Sequence, residues 1–200
     1  MEYLDVYNEN HEMIGTYPRD EVHEKGMWHN TIHCWLYDND GNVYFQVRSD
    51  DNKLYTTASG HVQAGESLKE AFGREVMEEI GVKVDFLEAE LVRINHWKMD
   101  KEKNGKITKD RAFSHIYILN IKSEPKEFNF SDGEVNGIVK LNCEEVLKLF
   151  KDEIDEISGI FIDKENAHIN KTFNIDDFLL WNGEIAMKKY GYIIEEIKRK

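Results

Sequence analysis

Apolar and polar positions alternate with period two on either side of Asp38-Asn39-Asp40-Gly41. Thr31 to Tyr37 and Asn42 to Arg48 therefore read as the two arms of a β-hairpin around an Asp-Gly turn. Val82 to Asn95 and Ala112 to Ile121 are apolar and partly β-branched, which predicts further strands, and Val135 to Leu141 predicts a short one. Between them, Lys98 to Lys109 is polar and contains Asn104-Gly105, the signal of a turn or mobile loop. Its lysines at 98, 101, 103, 106 and 109 read first as a solvated face, and second as a positive lip over a phosphate. Glu144 to Lys151 and Ile175 to Lys198 carry helical patterns. Elements in this order predict an α+β fold, a mixed β-sheet sandwiched between helices, with residues 143–200 as a C-terminal helical extension packed on domain 1–142.

Residues 67–80 hold the most informative helix. Ser67-Leu-Lys-Glu70 is a capping box, in which the serine hydroxyl accepts from the first turn and Glu70 reaches back to the cap. Gly81 stands where a left-handed C-terminal residue is expected. At about 100° per residue, with Leu68 at zero, Phe72 falls near ~40°, Val76 near ~80° and Ala71 near ~300°. That arc packs on the sheet. Glu75 falls near ~340°, Glu79 near ~20° and Glu78 near ~280°, inside the apolar arc or at its edge. Solvated charges would lie on the opposite side. Buried like charges need compensation, and a divalent cation with oxygen ligands supplies it. Arg74, near ~240°, can orient one of these carboxylates. Ahead of the helix, Gly60 and Gly65 let the backbone turn sharply and come close to a ligand, and a backbone carbonyl there can add an oxygen ligand.

Charge and composition narrow the partner. The chain carries 39 acidic and 26 basic side chains, a formal net charge of −13, which argues against a nucleic-acid polymer. A small phosphorylated substrate remains compatible, because a divalent cation bridges carboxylates and phosphate oxygens. No apolar run reaches the ~20 residues that cross a bilayer, and the acidic start of the chain does not read as a signal peptide. Cys34 and Cys143 match no zinc spacing and read as reduced core thiols of a cytoplasmic protein.

Gly60, five residues, Glu66, seven residues, then Arg74-Glu75-Val76-Met77-Glu78-Glu79-Ile80-Gly81-Val82 resembles the complete Nudix box, with every specified position filled. The resemblance implies a Nudix fold and Mg²⁺- or Mn²⁺-dependent hydrolysis of a diphosphate linkage in a small metabolite or nucleoside diphosphate derivative. It implies that Glu75, Glu78, Glu79 and the Gly60 carbonyl hold metal, with Arg74 and Glu66 orienting them and Gly81 closing the helix. The general base has two candidates, Glu78 and, outside the box, Glu134 in Asp132-Gly-Glu-Val135. Arg48 reads either as a ligand for substrate phosphate or as half of a salt bridge.

Asp5-Val-Tyr-Asn-Glu-Asn10, Gly26-Met-Trp-His-Asn30 and Gln46-Val-Arg-Ser49 ahead of Gly60-His61 are similar to the Nudix branch that contains isopentenyl-diphosphate isomerase. That raises a rival activity. The isomerase places a reactive cysteine immediately before the Gly-His pair, where this chain has Ser59, a far weaker acid. His29 and His61 match two of the isomerase's metal-binding histidines, but no Glu-x-Glu pair follows near Lys109-Asp-Arg111. The hydrolase reading is therefore preferred. His61 is left as a substrate-binding candidate or, like His29, a packing residue. A non-catalytic diphosphate-binding module is the third reading. The apolar stripe from Phe178 to Ile197 covers the sheet, completes a pocket or forms a homodimer contact.

Overall fold

The computed structural model describes residues 2–103, 106–122, 125, 127–131, 133–181 and 184–200. An eleven-stranded mixed sheet runs through them. β1 (Tyr3–Tyr7) and β2 (Met13–Pro18) form a hairpin that leads into α1 (Arg19–Lys25). β3 (Trp28–Tyr37), β4 (Asn42–Arg48), β5 (Leu54–Tyr55) and β6 (Ala58–His61) follow, then α2 (Leu68–Ile80). β7 (Glu90–Lys103), β8 (Lys106–Asn120) and β9 (Val135–Asn142) precede α3 (Cys143–Phe150). β10 (Glu156–Ile162), β11 (His168–Asn174) and α4 (Gly191–Lys198) complete the chain. The main strand order is β11-β10-β9-β4-β3-β1-β2. β3 also pairs in parallel with β8, which carries β7 at its outer side.

Strand alternation explains why helices cover both faces. Ile32, Cys34 and Leu36 of β3, Tyr44 of β4, Tyr117 of β8 and Ile138 of β9 pack with Ala71, Phe72, Val76 and Ile80 of α2. Their neighbours in sequence, Trp35, Phe45, Ile116, Ile118 and Val139, pack with α3 and α4 on the other face. β3 is buried along nearly its whole length because it lies between these layers. Cys34 and Cys143 are both free and buried. No helix among the described residues is long and apolar enough to cross a membrane.

Three expectations change. Of Val82 to Asn95 only the part from Glu90 onward is strand, and Phe86–Glu88 is a 3₁₀ turn. Lys98 to Lys109 is not a loop: it belongs to the β7–β8 ribbon, whose register runs from Glu90↔Ile118 to Lys103↔Lys106. Backbone hydrogen bonds to a partner strand need no apolar alternation, so the polar sequence hid it. The expected Asn104-Gly105 turn lies outside the described residues. Residues 143–200 contain α3 and α4 but also the β10–β11 hairpin, which extends the sheet beyond β9. Among the described residues of Ile175 to Lys198 only the last eight form an α-helix, after short 3₁₀ turns and a two-residue strand pair.

Candidate active site

α2 begins as its sequence predicts. The Ser67 hydroxyl accepts from the Glu70 amide, the Glu70 carboxylate accepts from the Ser67 amide, and Gly81 ends the helix at φ 70°. The helix phase is also as expected. Glu79 is 4% exposed, and the Glu75 side chain 12%, whereas Glu78 stands at the rim with 52% of its side chain exposed.

Arg74 ties the box together. Its Nε donates to Glu66 Oε1 at 2.8 Å and Nη2 to Glu66 Oε2 at 2.9 Å, a bidentate pair. Nη1 donates to Glu75 Oε1 at 2.7 Å and Glu78 Oε2 at 3.0 Å, and Nη2 also reaches the His61 carbonyl at 2.9 Å. Burial works against the Glu66 charge, but the bonds from Arg74 and the Gln63 amide hold its carboxyl below the usual range. Glu75 behaves oppositely. Burial pushes it up to about 7 despite Arg74 beside it, and Glu78 and Glu134 add to the rise. Gly60 lies directly against this group: a Cβ built there would overlap the Glu75 carboxylate. A buried carboxylate facing further carboxylates, with a backbone turn drawn tight against it, fits a hard divalent cation.

A cavity of about 530 Å³ opens over these groups, lined by Gly60, His61, Arg74, Glu75, Glu78 and, from other elements, Arg48 and Glu134. A second cavity of about 350 Å³ shares Arg48, Ser59 and Glu134 and adds Gln46 and Glu79. Of the sequence-expected residues, Arg48, Gly60, His61, Arg74, Glu75, Glu78, Glu79 and Glu134 thus line these two adjoining cavities, Glu66 is held through Arg74, and Gly81 lies apart at the end of α2. Arg48 also forms ion pairs with Asp51 at 3.1 Å and Asp50 at 3.6 Å, so both of its readings have support. Trp35 is core, and Trp28 stacks on Phe113 with Lys98 over its ring.

A second cluster adjoins the first. The ligand-capable atoms of His23, His29 and His61 lie within 4.8 Å of one another. His29 Nε2 is 3.5 Å from Asp110 Oδ1, and both atoms are buried without a hydrogen-bond partner. Burial drives His29 down to about 4, lowers His23 and His61, and raises Asp110. All four groups therefore tend to their neutral forms, and neutral imidazole is the metal-binding form. His23 on α1 and Asp110 on β8 were missed in the sequence. The nearest signal was the histidine match, which named only two of the three rings.

Comparison with known proteins agrees with this geometry. The NUDIX domain family model matches residues 27–161. An uncharacterized Nudix hydrolase of Clostridium acetobutylicum is 34% identical over 203 residues, covering 96% of this chain and 93% of that protein. Another, from Listeria monocytogenes, is 30% identical over 124 residues, covering 59% of this chain and 73% of its own length. A crystal structure of a Deinococcus radiodurans protein superposes with a TM-score of 0.54 at 24% identity, covering 76% of this chain and 89% of that one, a likeness of fold. By the family match and the relative aligned along nearly all of both chains, this protein belongs to the Nudix hydrolases, enzymes that act on diphosphate bonds.

Proposed function

We propose that this protein uses Mg²⁺ or Mn²⁺ to hydrolyse a diphosphate linkage in a small phosphorylated metabolite or nucleoside diphosphate derivative. One observation carries the reading: Glu75 and Glu78 of α2 share a cavity with Gly60 and Glu134, Glu79 lines the adjoining one, and Glu75 is too deeply buried to hold its charge easily. Glu75, Glu78, Glu79 and the Gly60 carbonyl hold the cation. A cation held there would supply the positive charge that offsets the diphosphate and lowers the pKa of a water. Arg74 and Glu66 fix the carboxylates through their bidentate pair. Glu134 or Glu78 takes the proton from that water. Both line the main cavity, so the choice of base stays between them. Arg48 meets a substrate phosphate, and His61 borders it. The net charge of −13 favours a small substrate over a nucleic-acid polymer. The free buried thiols suit a reducing cytoplasm. A homodimer is compatible with this reading.

The test is hydrolysis of nucleotide sugars, dinucleotides, nucleoside diphosphates and coenzyme A with Mg²⁺ or Mn²⁺, with isopentenyl diphosphate alongside. At least one diphosphate is cleaved, and Glu79→Gln lowers that rate by about a hundredfold or more, the scale of losing a cation ligand. Full activity in the variant sinks the mechanism, and no turnover of any compound favours a binding module.

The histidine cluster supports a second reading. The isomerase resemblance implied histidine metal ligands, and here Asp110 lies where no acidic pair was found. A second cation, at nitrogen ligands, fits these residues. Ser59 still stands against isomerisation, and isomerised product without phosphate release in the same panel would reverse that judgement.

A further inference from the structure

We propose that Gln46 is a positioning residue for the reaction: it holds the Glu79 carboxylate, through Oε2, in the orientation that takes the cation. The inference rests on Glu79 being a cation ligand, as assigned above.

Gln46 is an anomaly in its strand. β4 is apolar from Val43 to Val47 except at this position, and Gln46 is only 4% exposed. Strand alternation puts it on the face of Tyr44, against α2. A buried amide costs free energy unless it is hydrogen-bonded, so an apolar side chain would be the ordinary choice here. Gln46 Nε2 donates to Glu79 Oε2 at 3.2 Å. The Ser59 amide donates to the same oxygen at 3.0 Å. Three elements, β4, β6 and α2, therefore converge on one carboxylate oxygen, and all three residues line the smaller cavity beside Glu134.

Two donors on one oxygen hold it in place and favour the charged form of that carboxylate. The need for them is local. The Glu134 carboxylate lines the same smaller cavity as Glu79, and a long acidic side chain without an anchor would turn away from a like group. Arg74 serves Glu66, Glu75 and Glu78 through the bonds described above, and Glu79 has Gln46 and Ser59 in the corresponding place. The site thus has a side-chain clamp for each half of its carboxylates: a guanidinium toward the rim and an amide toward the sheet. Partners that orient metal-binding carboxylates typically change metal affinity by about 10- to 100-fold when removed.

The experiment is calorimetric titration of Mn²⁺ into the metal-free full-length protein, comparing wild type, Gln46→Met and Gln46→Leu. Hydrolysis of the best diphosphate from the panel is measured against Mn²⁺ concentration in parallel. Gln46→Met keeps the length and roughly the volume of the side chain but removes the donor without adding a charge, so packing alone predicts little change. The expected result is a rise of about tenfold or more in the Mn²⁺ dissociation constant for both variants, with the half-saturating Mn²⁺ for activity moving by the same factor. At saturating Mn²⁺ the substrate KM stays within about twofold, since no ground-state contact to substrate has been removed. Wild-type Mn²⁺ affinity in Gln46→Met overturns the proposal, as does an equal rise in substrate KM. Circular dichroism checks both folds, and if Gln46→Met fails to fold, Gln46→Leu decides alone. If the wild type takes up no Mn²⁺, the assignment of the α2 carboxylates falls and this inference falls with it. If the wild type binds and the variants match it, only the role of Gln46 is lost.

Discussion

Glu75 is destabilising in the metal-free protein, and a bound cation turns that cost into affinity. Its carboxyl titrates near 4.5 when unfolded and is raised to about 7 by burial in the fold. Below the unfolded value both states are protonated and nothing is lost. Between the two values the folded protein holds a proton that the unfolded chain has released, so stability falls as pH rises through this window. Above about pH 7 the penalty is complete, roughly 3 kcal/mol at one pKa unit per 1.36 kcal/mol. Replacing Glu75 by Gln should therefore raise the melting temperature of the metal-free protein at pH 8 and leave it nearly unchanged at pH 4. Mn²⁺ should raise the wild-type melting temperature and hardly move that of the variant. Equal melting temperatures for the two proteins at both pH values would remove the penalty from the argument. At this scale the sequence was informative where a local period applies. The helix phase turned Glu75 and Glu79 inward and set Glu78 at the edge, as their exposures bear out. It was silent on Gln46, His23 and Asp110, whose partners lie on other strands and helices. No local pattern marks a residue whose meaning comes from a contact 33 positions away, as with Gln46 and Glu79.

Elements were legible in proportion to how locally they are stabilised. α2 carries its own start and stop signals, and both ends form where they are written. The β7–β8 ribbon carries no such signal between Lys98 and Lys109, because each strand there is satisfied by the other. The segment after Ile175 shows a helical apolar stripe, but its apolar side chains are claimed by different neighbours. Leu179 donates its amide to the Leu54 carbonyl on β5, and Phe178 packs on Phe45 and Phe150. Tertiary contacts thus overrode the period. The self-contained character of α2 gives a sharp expectation for its cap. Ser67→Ala removes the hydroxyl that accepts from Glu70 and half of the reciprocal box, at a cost of about 1 kcal/mol. The urea midpoint should fall accordingly, while activity per folded molecule stays near wild type, because the Arg74–Glu66 pair does not pass through Ser67. A loss of activity without a loss of stability would mean that the cap positions the carboxylates as well as starting the helix.

At the scale of the whole molecule, the question is whether residues 143–200 are an appendage or part of the body that holds the site. The family match runs to residue 161, past α3 and through most of β10. The core on that face of the sheet mixes both parts: Trp35, Phe45, Ile116 and Val139 pack with Val146, Phe150, Ile157, Phe178, Ile193 and Ile194. Uncovering it would expose several large side chains at once, each worth about 1.5–3 kcal/mol of burial, against a typical total stability of about 5–15 kcal/mol. The contact also reaches the site. Tyr190 lies against Trp35 and His33, with ring centroids 5.7 and 6.0 Å away, and His33 and Tyr55 line the main cavity. A chain ended at Asn142 should therefore fail to give a soluble monomer with native circular dichroism, and the full-length protein should unfold in urea as one transition seen alike by tryptophan fluorescence and circular dichroism. A soluble, folded 1–142 fragment that still binds Mn²⁺ would show instead that the α2 layer and β-sheet stand alone, and that the C-terminal layer acts on substrate rather than on the fold.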